Sequence, residues 1–547
     1  MILILLFSQL ITSSFLENRG LRFHTGIDIS TNKIIGEPIP APFEGKILRI
    51  VDKWTGYGRA LYLKNKKGFI YVFVHLDRFK DDIERKIYFE KKRLRKNQID
   101  LNFNLKADSG EVIAFSGNSG TLIPHIHLET RKGFNKPVNP LYFYNIQDTI
   151  KPVIEKIKIY PLYKSLLHRS FAPYEFKKPF PDTIYITSDF FLWVSAYDYQ
   201  HKSDNRTAIY RLKISIFDSV ICDLKFDSIT FNKNYLARAI YTKSDNSFSG
   251  SYIHPLNIEN NLWKGSSFIN LKKKLILLKI EAYDFKGNRE EVKIWIKKDK
   301  GKFLKRDKKT YFAFDGIIFR DSIEKKIILK PGKYGKIKDF IYVFPLPEKS
   351  YKVRLKNYEI KIPKDFQFFP YPVFFRERED TLFILCAELL FKNSLKIKVK
   401  NRKDKDVILR YNEFKQRYDF VSSDSVFYTF SWGKYIKEKD TLKPEILAQR
   451  IYRLDPKNME IEFSVKDNSS VKNIEFYLEN QWEPVLYNPI TRKAKVRILR
   501  NLSERENTFT IFAEDPSKNI QKFTGKIILS HSPTLKNNKI SPLEKED

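Results

Sequence analysis

The sequence has two cysteines in 547 residues, Cys222 and Cys386, and they form no CxxC pair. A disulfide framework and a thiolate metal site are therefore excluded. No segment approaches 18 uncharged apolar residues, so no transmembrane helix is expected. Methionine and glycine are scarce, at 2 and 20 residues. A long 3.6-period apolar pattern is also missing, which argues against a helical bundle. A helical HExxH is absent, which excludes a thermolysin-type zinc site. The chain carries a formal charge of +35, but no helix-turn-helix, finger or RNA-binding signature accompanies it. Nucleic acid is therefore not an expected partner.

What is abundant points to strands. Aromatic residues make up 15% of the chain and hydrophobic residues 42%, and Tyr, Phe and Ile are favoured on pleated, half-buried surfaces. The length exceeds what one core supports and implies several domains. The lysines are spread along the whole sequence. They read either as solvated faces or as a surface that attracts polyanions.

Taken in order, residues 1–11 open with Met1-Ile-Leu-Ile-Leu-Leu-Phe7. They read as a short or truncated secretory signal, with a buried first strand as the alternative. Residues 12–147 carry short strands between Gly and Pro turns, interrupted at 80–98 by a charged segment. There Ile83, Ile87 and Tyr88 fit one face of a short helix. This segment reads as an insertion that could cover or extend a groove.

Asp148-Thr-Ile-Lys-Pro152 then opens a β-rich region that is echoed by Asp440-Thr-Leu-Lys-Pro444. Each is followed by a strand ending in Asp198 or Asp467. Each closes on a strand and turn, Asp284-Phe-Lys-Gly-Asn288 or Asp515-Pro-Ser-Lys-Asn519. Two related β-sandwich modules of immunoglobulin-like or fibronectin-like type are expected at 148–298 and 439–530. Between them lies a β-rich domain of unknown type at 299–438, entered through a Lys-rich linker at 296–309. A polar, frayed tail is expected at 531–547. The repeated aspartates read as turn caps, with calcium binding as the alternative.

Four of the eight histidines fall in the first 127 residues: His24, His75, His125 and His127. His125 and His127 stand one residue apart in a strand-forming run, so they share a face. His24 precedes Asp28 in a segment whose Gly26, Thr25 and Ile27 disfavour a helix. A catalytic zinc takes three protein ligands and leaves a position open. His24, Asp28 and one member of the HxH pair supply such a set. Two histidines then remain for proton transfer or for stabilising an oxyanion. His168, His201, His254 and His531 lack such a setting.

The ordered motifs Arg22-Phe-His24-Thr-Gly-Ile-Asp28, Gly36-Glu-Pro-Ile-Pro-Ala-Pro42, Gly56-Tyr-Gly58, His75-Leu76, Gly110 to Gly120, Pro124-His-Ile-His-Leu-Glu129 and Val138-Asn-Pro140 resemble the lysostaphin-type (LytM-like) zinc metallopeptidases. The resemblance spans roughly residues 12–145. It implies a small antiparallel β-sheet with a groove, in a chain that is mainly β. It also implies hydrolysis of peptidoglycan peptides with one zinc ion held by His24, Asp28 and His127. His125 would be the general base or its orienting partner, and His75 would hold the water or stabilise the tetrahedral intermediate. The chain departs from the family at Ile123, Ile126 and Leu128, apolar replacements that bear on groove shape more than on metal binding. Export to the periplasm or cell surface follows from the substrate, and anionic wall polymers become candidate partners for the basic surface. The alternatives are a non-catalytic wall-binding or hydrolase-activating protein on the same fold, and an adhesion or envelope-assembly protein whose function lies in the later β-rich regions.

Overall fold

The computed structural model describes residues 10–144, 146–162, 167–168, 174–186, 189–199, 204–241, 251–253, 263–265, 268–298, 311–312, 317–320, 326–329, 332–337, 339–367, 373–385, 391–412, 416–455, 458–499, 506–527 and 540–542. Among them there are two α-helices, Asp81–Leu94 (α1) and the single turn Ala237–Ile240. The chain is otherwise built of strands in many antiparallel sheets. The one parallel pairing among the described residues joins Thr183–Ile186 to Arg289–Lys298.

The first unit contains β1 (Ile11–Ser13), β2 (Ile27–Ser30), β3 (Pro38–Pro40), β4 (Gly45–Asp52), β5 (Arg59–Asn65), β6 (Phe69–Val74), β7 (Arg78–Phe79), β8 (Ile99–Ala107), β9 (Val112–Phe115), β10 (His125–Lys132) and β11 (Pro137–Val138). The main sheet runs β1-β2-β10-β6-β5-β4-β8, and β3, β9 and β7 form a small second sheet. The central strand β6 is a continuous apolar run because both its faces are covered. Tyr71 and Phe73 join the large core, while Ile70, Val72 and Val74 pack with Val51, Ala60 and Tyr62 on the other face. The edge strand β8 instead alternates buried and exposed positions, as one solvated face requires.

Helix α1 has Asp81, Asp82 and Glu84 in its first turn and Lys91, Lys92 and Arg93 in its last, matching the helix dipole. Ile83, Ile87, Tyr88 and Lys91 form its buried face. The Lys91 ammonium is neutralised by Asp52 at 2.8 Å. The helix packs toward the far C-terminal part of the chain, where the Tyr88 hydroxyl donates to Glu483 at 2.6 Å. None of its residues lines the cavity described below. The 80–98 segment, read from the sequence as able to cover or extend a groove, instead turns its apolar face to the β4–β5 side of the sheet and the last unit.

The later sheets come in pairs. Leu275–Tyr283 lies between Arg211–Ile216 and Arg289–Lys298 in one sheet, and Val153–Leu162 pairs with Asp189–Tyr199 in its partner. Inward residues of both, such as Ile157, Val194, Leu278 and Ile294, belong to the core that the first unit also enters. A seven-stranded and a four-stranded sheet occupy Tyr334–Lys439. The last pair, from Glu445 on, has its own core of Phe463, Phe476, Phe509 and neighbours. Trp54, in the β4–β5 loop, is inserted into that core. Its indole N–H donates to the Val485 carbonyl at 3.1 Å, and its ring meets Tyr487 edge-on at 5.4 Å. Arg497 adds a half-buried ion pair to Asp77 at 2.7 Å.

Some expectations shift. Residues 296–298 belong to the strand Arg289–Lys298, so a linker cannot begin at 296, and 299–310 lie outside the described residues. Ile540–Pro542 pairs with Ile520–Ile527, so the tail is not wholly frayed. The expected signal lies outside the described residues up to position 9, and Ile11 is already a buried residue of β1. Cys386, His201, His254 and His531 also lie outside the described residues.

Candidate metal centre

Strand register builds the site. On β10, His127 faces Asp28 of β2 on one side and Val74 of β6 on the other. Cross-strand partners project to the same face, so the register sets the Asp28 carboxylate beside the His127 ring. His75 follows Val74 where β6 ends, and takes a left-handed backbone with φ of 63°. His125 precedes His127 by one alternation on the same face. His24 arrives in the turn before β2, and Gly26 makes that close approach feasible. A Cβ on Gly26 would sit 2.4 Å from the Leu128 carbonyl oxygen and 2.8 Å from His127 Nε2.

Each ring is held in a definite tautomer, because a carbonyl can only accept. His24 Nδ1 donates to the Ser14 carbonyl at 2.8 Å, which leaves Nε2 bare. His75 Nδ1 donates to Ser119 O at 2.7 Å, and His125 Nδ1 donates to Ile123 O at 2.8 Å. His127 is turned the other way. Its Nε2 donates to Glu129 Oε1 at 3.2 Å, so Nδ1 faces the centre.

Three donor atoms then converge. Asp28 Oδ1 lies 3.0 Å from His24 Nε2 and 2.9 Å from His127 Nδ1, and the two nitrogens are 2.7 Å apart. Two bare nitrogens at that distance repel unless a proton or a cation sits between them. His24, Asp28 and His127 are 6%, 8% and 4% exposed, so water screens little of this. Two neutral imidazoles and one carboxylate are a suitable set for zinc. The donor set therefore fits a metal ion.

The supporting residues are charged and buried. Glu129, fully buried, accepts from Thr25 Oγ1 at 2.7 Å, from Arg131 Nε at 2.6 Å and from the Tyr57 hydroxyl. Arg19 donates to the outer oxygen of Asp28 at 3.1 Å. Such partners orient metal ligands and tune their basicity. Burial works against charging His127, but the hydrogen bonds to Asp28 and Glu129 outweigh it and push its pKa up to about 8. Burial lowers His24 to about 4. Burial, helped by the neighbouring His125 and His127, lowers His75 to about 3.

The centre opens on a cavity of about 1310 Å³. His75, His125, Arg19 and Arg22 line it, as do the exposed Leu122 and Ile123. Asn205, Arg206, Phe231 and Asn234 also line it, and these belong to the next unit, Phe231 and Asn234 in its 3-10 helix Phe231–Leu236. The loop carrying Ser119 is held from further away, because Asn488 Nδ2 donates to the carbonyls of Asn118 and Thr121 at 2.7 and 2.8 Å.

All five candidate residues therefore meet at one centre: His24, Asp28 and His127 as converging donors, His75 and His125 at its open side. Their rings touch, His75 and His125 at 4.9 Å between centroids. Sequence reasoning missed Glu129, Arg19, Tyr57 and Arg131. For Glu129 a signal existed, since His125, His127 and Glu129 alternate on one strand face.

No protein-family model matches the chain, and no curated protein matches it. Among solved structures, the chain is similar to the catalytic domain of the prophage-encoded M23 protein EnpA from Enterococcus faecalis, determined as a single-substitution mutant. The identity is 25%, with 25% of this chain and 92% of that chain covered and a TM-score of 0.19.

Proposed function

We propose that the chain is a zinc-dependent endopeptidase that hydrolyses peptide bonds in peptidoglycan stem peptides or cross-bridges outside the cytoplasm, in cell-wall remodelling. The observation that carries this reading is the convergence of three lone-pair donors beside two further histidines whose Nε2 atoms are bare. When bound, zinc supplies a Lewis acid that polarises the scissile carbonyl and acidifies water.

The chain's own residues supply positioning and proton transfer. His24 Nε2, Asp28 Oδ1 and His127 Nδ1 hold the ion. His125 Nε2 accepts the proton of the attacking water as a new C–O bond forms at the carbonyl carbon. The same proton passes to the leaving nitrogen as the C–N bond breaks. His75, neutral and with Nδ1 committed to Ser119, presents an acceptor at Nε2. It holds the water in line rather than donating to the oxyanion. Arg22 lines the groove beside Arg19 and Arg206, which are paired with Glu17 and Glu155, and can meet a substrate carboxylate there. A purely binding protein has no need of two histidines held with bare nitrogens beside an open metal position.

The test is direct. The purified chain is expected to contain one zinc ion and to release soluble fragments from isolated wall, and a chelator should abolish the release. Hydrolysis that persists after zinc is gone would overturn the reading.

A pH dependence follows. Below about 8, metal-free His127 carries a proton that the ion must displace, while His24 is already neutral. Apparent zinc affinity should therefore rise by about tenfold per pH unit from pH 6 to about 8 and level off above. Competition against a chromogenic chelator measures this. A flat response would remove His127 Nδ1 from the ligand set.

A further inference from the structure

The aspartates of the repeated motif converge twice. Asp148, Asp198 and Asp284 bring one oxygen each within 4.8 Å of one another, and so do Asp440, Asp467 and Asp515. The two clusters are built alike. Asp284 follows the strand Leu275–Tyr283 and accepts from Asn288 N at 2.8 Å and Asn288 Nδ2 at 2.6 Å. Asp515 follows Asn507–Glu514 and accepts from Asn519 N at 2.8 Å and Asn519 Nδ2 at 2.7 Å. The amide of Asn288 also donates to Asp148 O at 3.0 Å, and that of Asn519 to Asp440 O at 3.1 Å. In each copy the turn is thereby locked to the segment that opens the unit.

Hydrogen bonds of this kind would serve a turn equally well. What a turn does not explain is the set of oxygens left over. Asp198 is 2% exposed and its Oδ1 has no hydrogen-bond partner; Asp440 is 2% exposed and its Oδ2 has none. Asp467 Oδ2 is in the same position. A buried carboxylate oxygen without a donor costs several kcal/mol, and here the cost recurs at the matching Asp198 and Asp467, about 270 residues apart in sequence. Among the described residues, Asp198, Asp284, Asp440, Asp467 and Asp515 make no ion pair. The carboxylates instead face each other. Burial and the charges of Asp148 and Asp284 push Asp198 up to about 8, and burial with Asp440 and Asp515 raises Asp467.

We propose that each cluster holds one calcium ion, giving two equivalent sites in two repeated sheet pairs, built from residues outside the histidine centre. The donors are all oxygen, which selects a hard cation over zinc or copper. Calcium takes oxygens at 2.3–2.6 Å, so two ligands of one ion lie at most about 5 Å apart, as these can. Magnesium sheds its waters reluctantly and suits buried carboxylates less well. Each ion would tie the opening segment of its unit to two later strands. It would thus act as a staple where the chain passes from one unit to the next.

Calorimetric titration of the EDTA-stripped full-length chain with calcium chloride tests this. Two calcium ions per chain are expected, with a rise in thermal midpoint at saturation. Asp198→Asn and Asp467→Asn should each bind one, and the double variant none. In the metal-free state the Asn variants should unfold no earlier than the parent, because each replaces a buried carboxyl group crowded by two others with a neutral amide of the same shape. No binding up to about 10 mM calcium, tenfold above the weakest ordinary extracellular sites, would overturn the proposal. So would unchanged stoichiometry in the variants, or metal-free Asn variants less stable than the parent. Loss of wall hydrolysis plays no part in these readouts, so this proposal and the reading of the histidine centre can fail separately.

Discussion

His127→Ala is expected to lose both the bound metal and wall hydrolysis, whereas His125→Ala keeps the metal and loses hydrolysis. The two residues share one strand face, yet their rings are held differently. His127 presents Nδ1 to the centre, 2.9 Å from Asp28 Oδ1 and 2.7 Å from His24 Nε2. Its removal leaves two donors, too few for a site of this type. His125 Nε2 stands further out, 3.5 Å from Asp28 Oδ1, in reach of a water on the open side. Loss of a general base costs about 10² to 10⁴ in rate, so residual activity near 10⁻³ with full zinc content is the expected phenotype. Metal content and turnover measured on both variants decide it. Equal zinc loss in the two would make His125 a ligand and end the division of roles.

A chain cut after Gln147 should lose metal binding and hydrolysis, although every candidate ligand lies upstream. The turn that carries His24 is held from outside the first unit. The Ala208 N–H donates to Ser14 Oγ at 3.0 Å, Phe23 N donates to Asn234 Oδ1 at 2.7 Å, and the Tyr241 hydroxyl donates to Leu16 O at 2.7 Å. Phe23 packs edge-on against Phe226 and Tyr241, and Phe15, Leu16 and Phe23 are at most 2% exposed. Exposing three such side chains forfeits up to about 5–9 kcal/mol, comparable with the whole stability of an ordinary domain. Ser14 O, which sets the tautomer of His24, moves with this turn. Zinc binding by the fragment at the affinity of the full chain would show that the later units serve something other than the site.

The candidate site is the most legible part of the sequence because local rules bring its residues together. Alternation sets His125 and His127 on one face, and an antiparallel partner brings Asp28 opposite. The carbonyls of Ser14, Ser119 and Ile123, which choose which nitrogen each ring exposes, carry no side-chain signature. Arg206, Asn234 and Asn488 reach the groove through contacts 180 to 370 residues distant, and no periodicity encodes such docking. The 80–98 segment was readable as a helix from Ile83, Ile87 and Tyr88. Its position was not, because part of the surface that covers the helix, around Glu483, comes from the far end of the chain. The repeated aspartates were visible as an echo, but their convergence needs three strands folded together.

The bond from Asn488 to the loop of Ser119 has a consequence in time. The ligands are synthesised first, yet the loop that aims His75 is completed by a residue 370 positions later than Asn118. At ~5–20 residues per second, that separation is about 20 to 75 s of translation. Throughout that interval the nascent chain carries the donor residues without the contact that completes the groove wall. On the proposed reading, the finished groove would arrive only when the last sheets have folded, a delay between making the site and completing it.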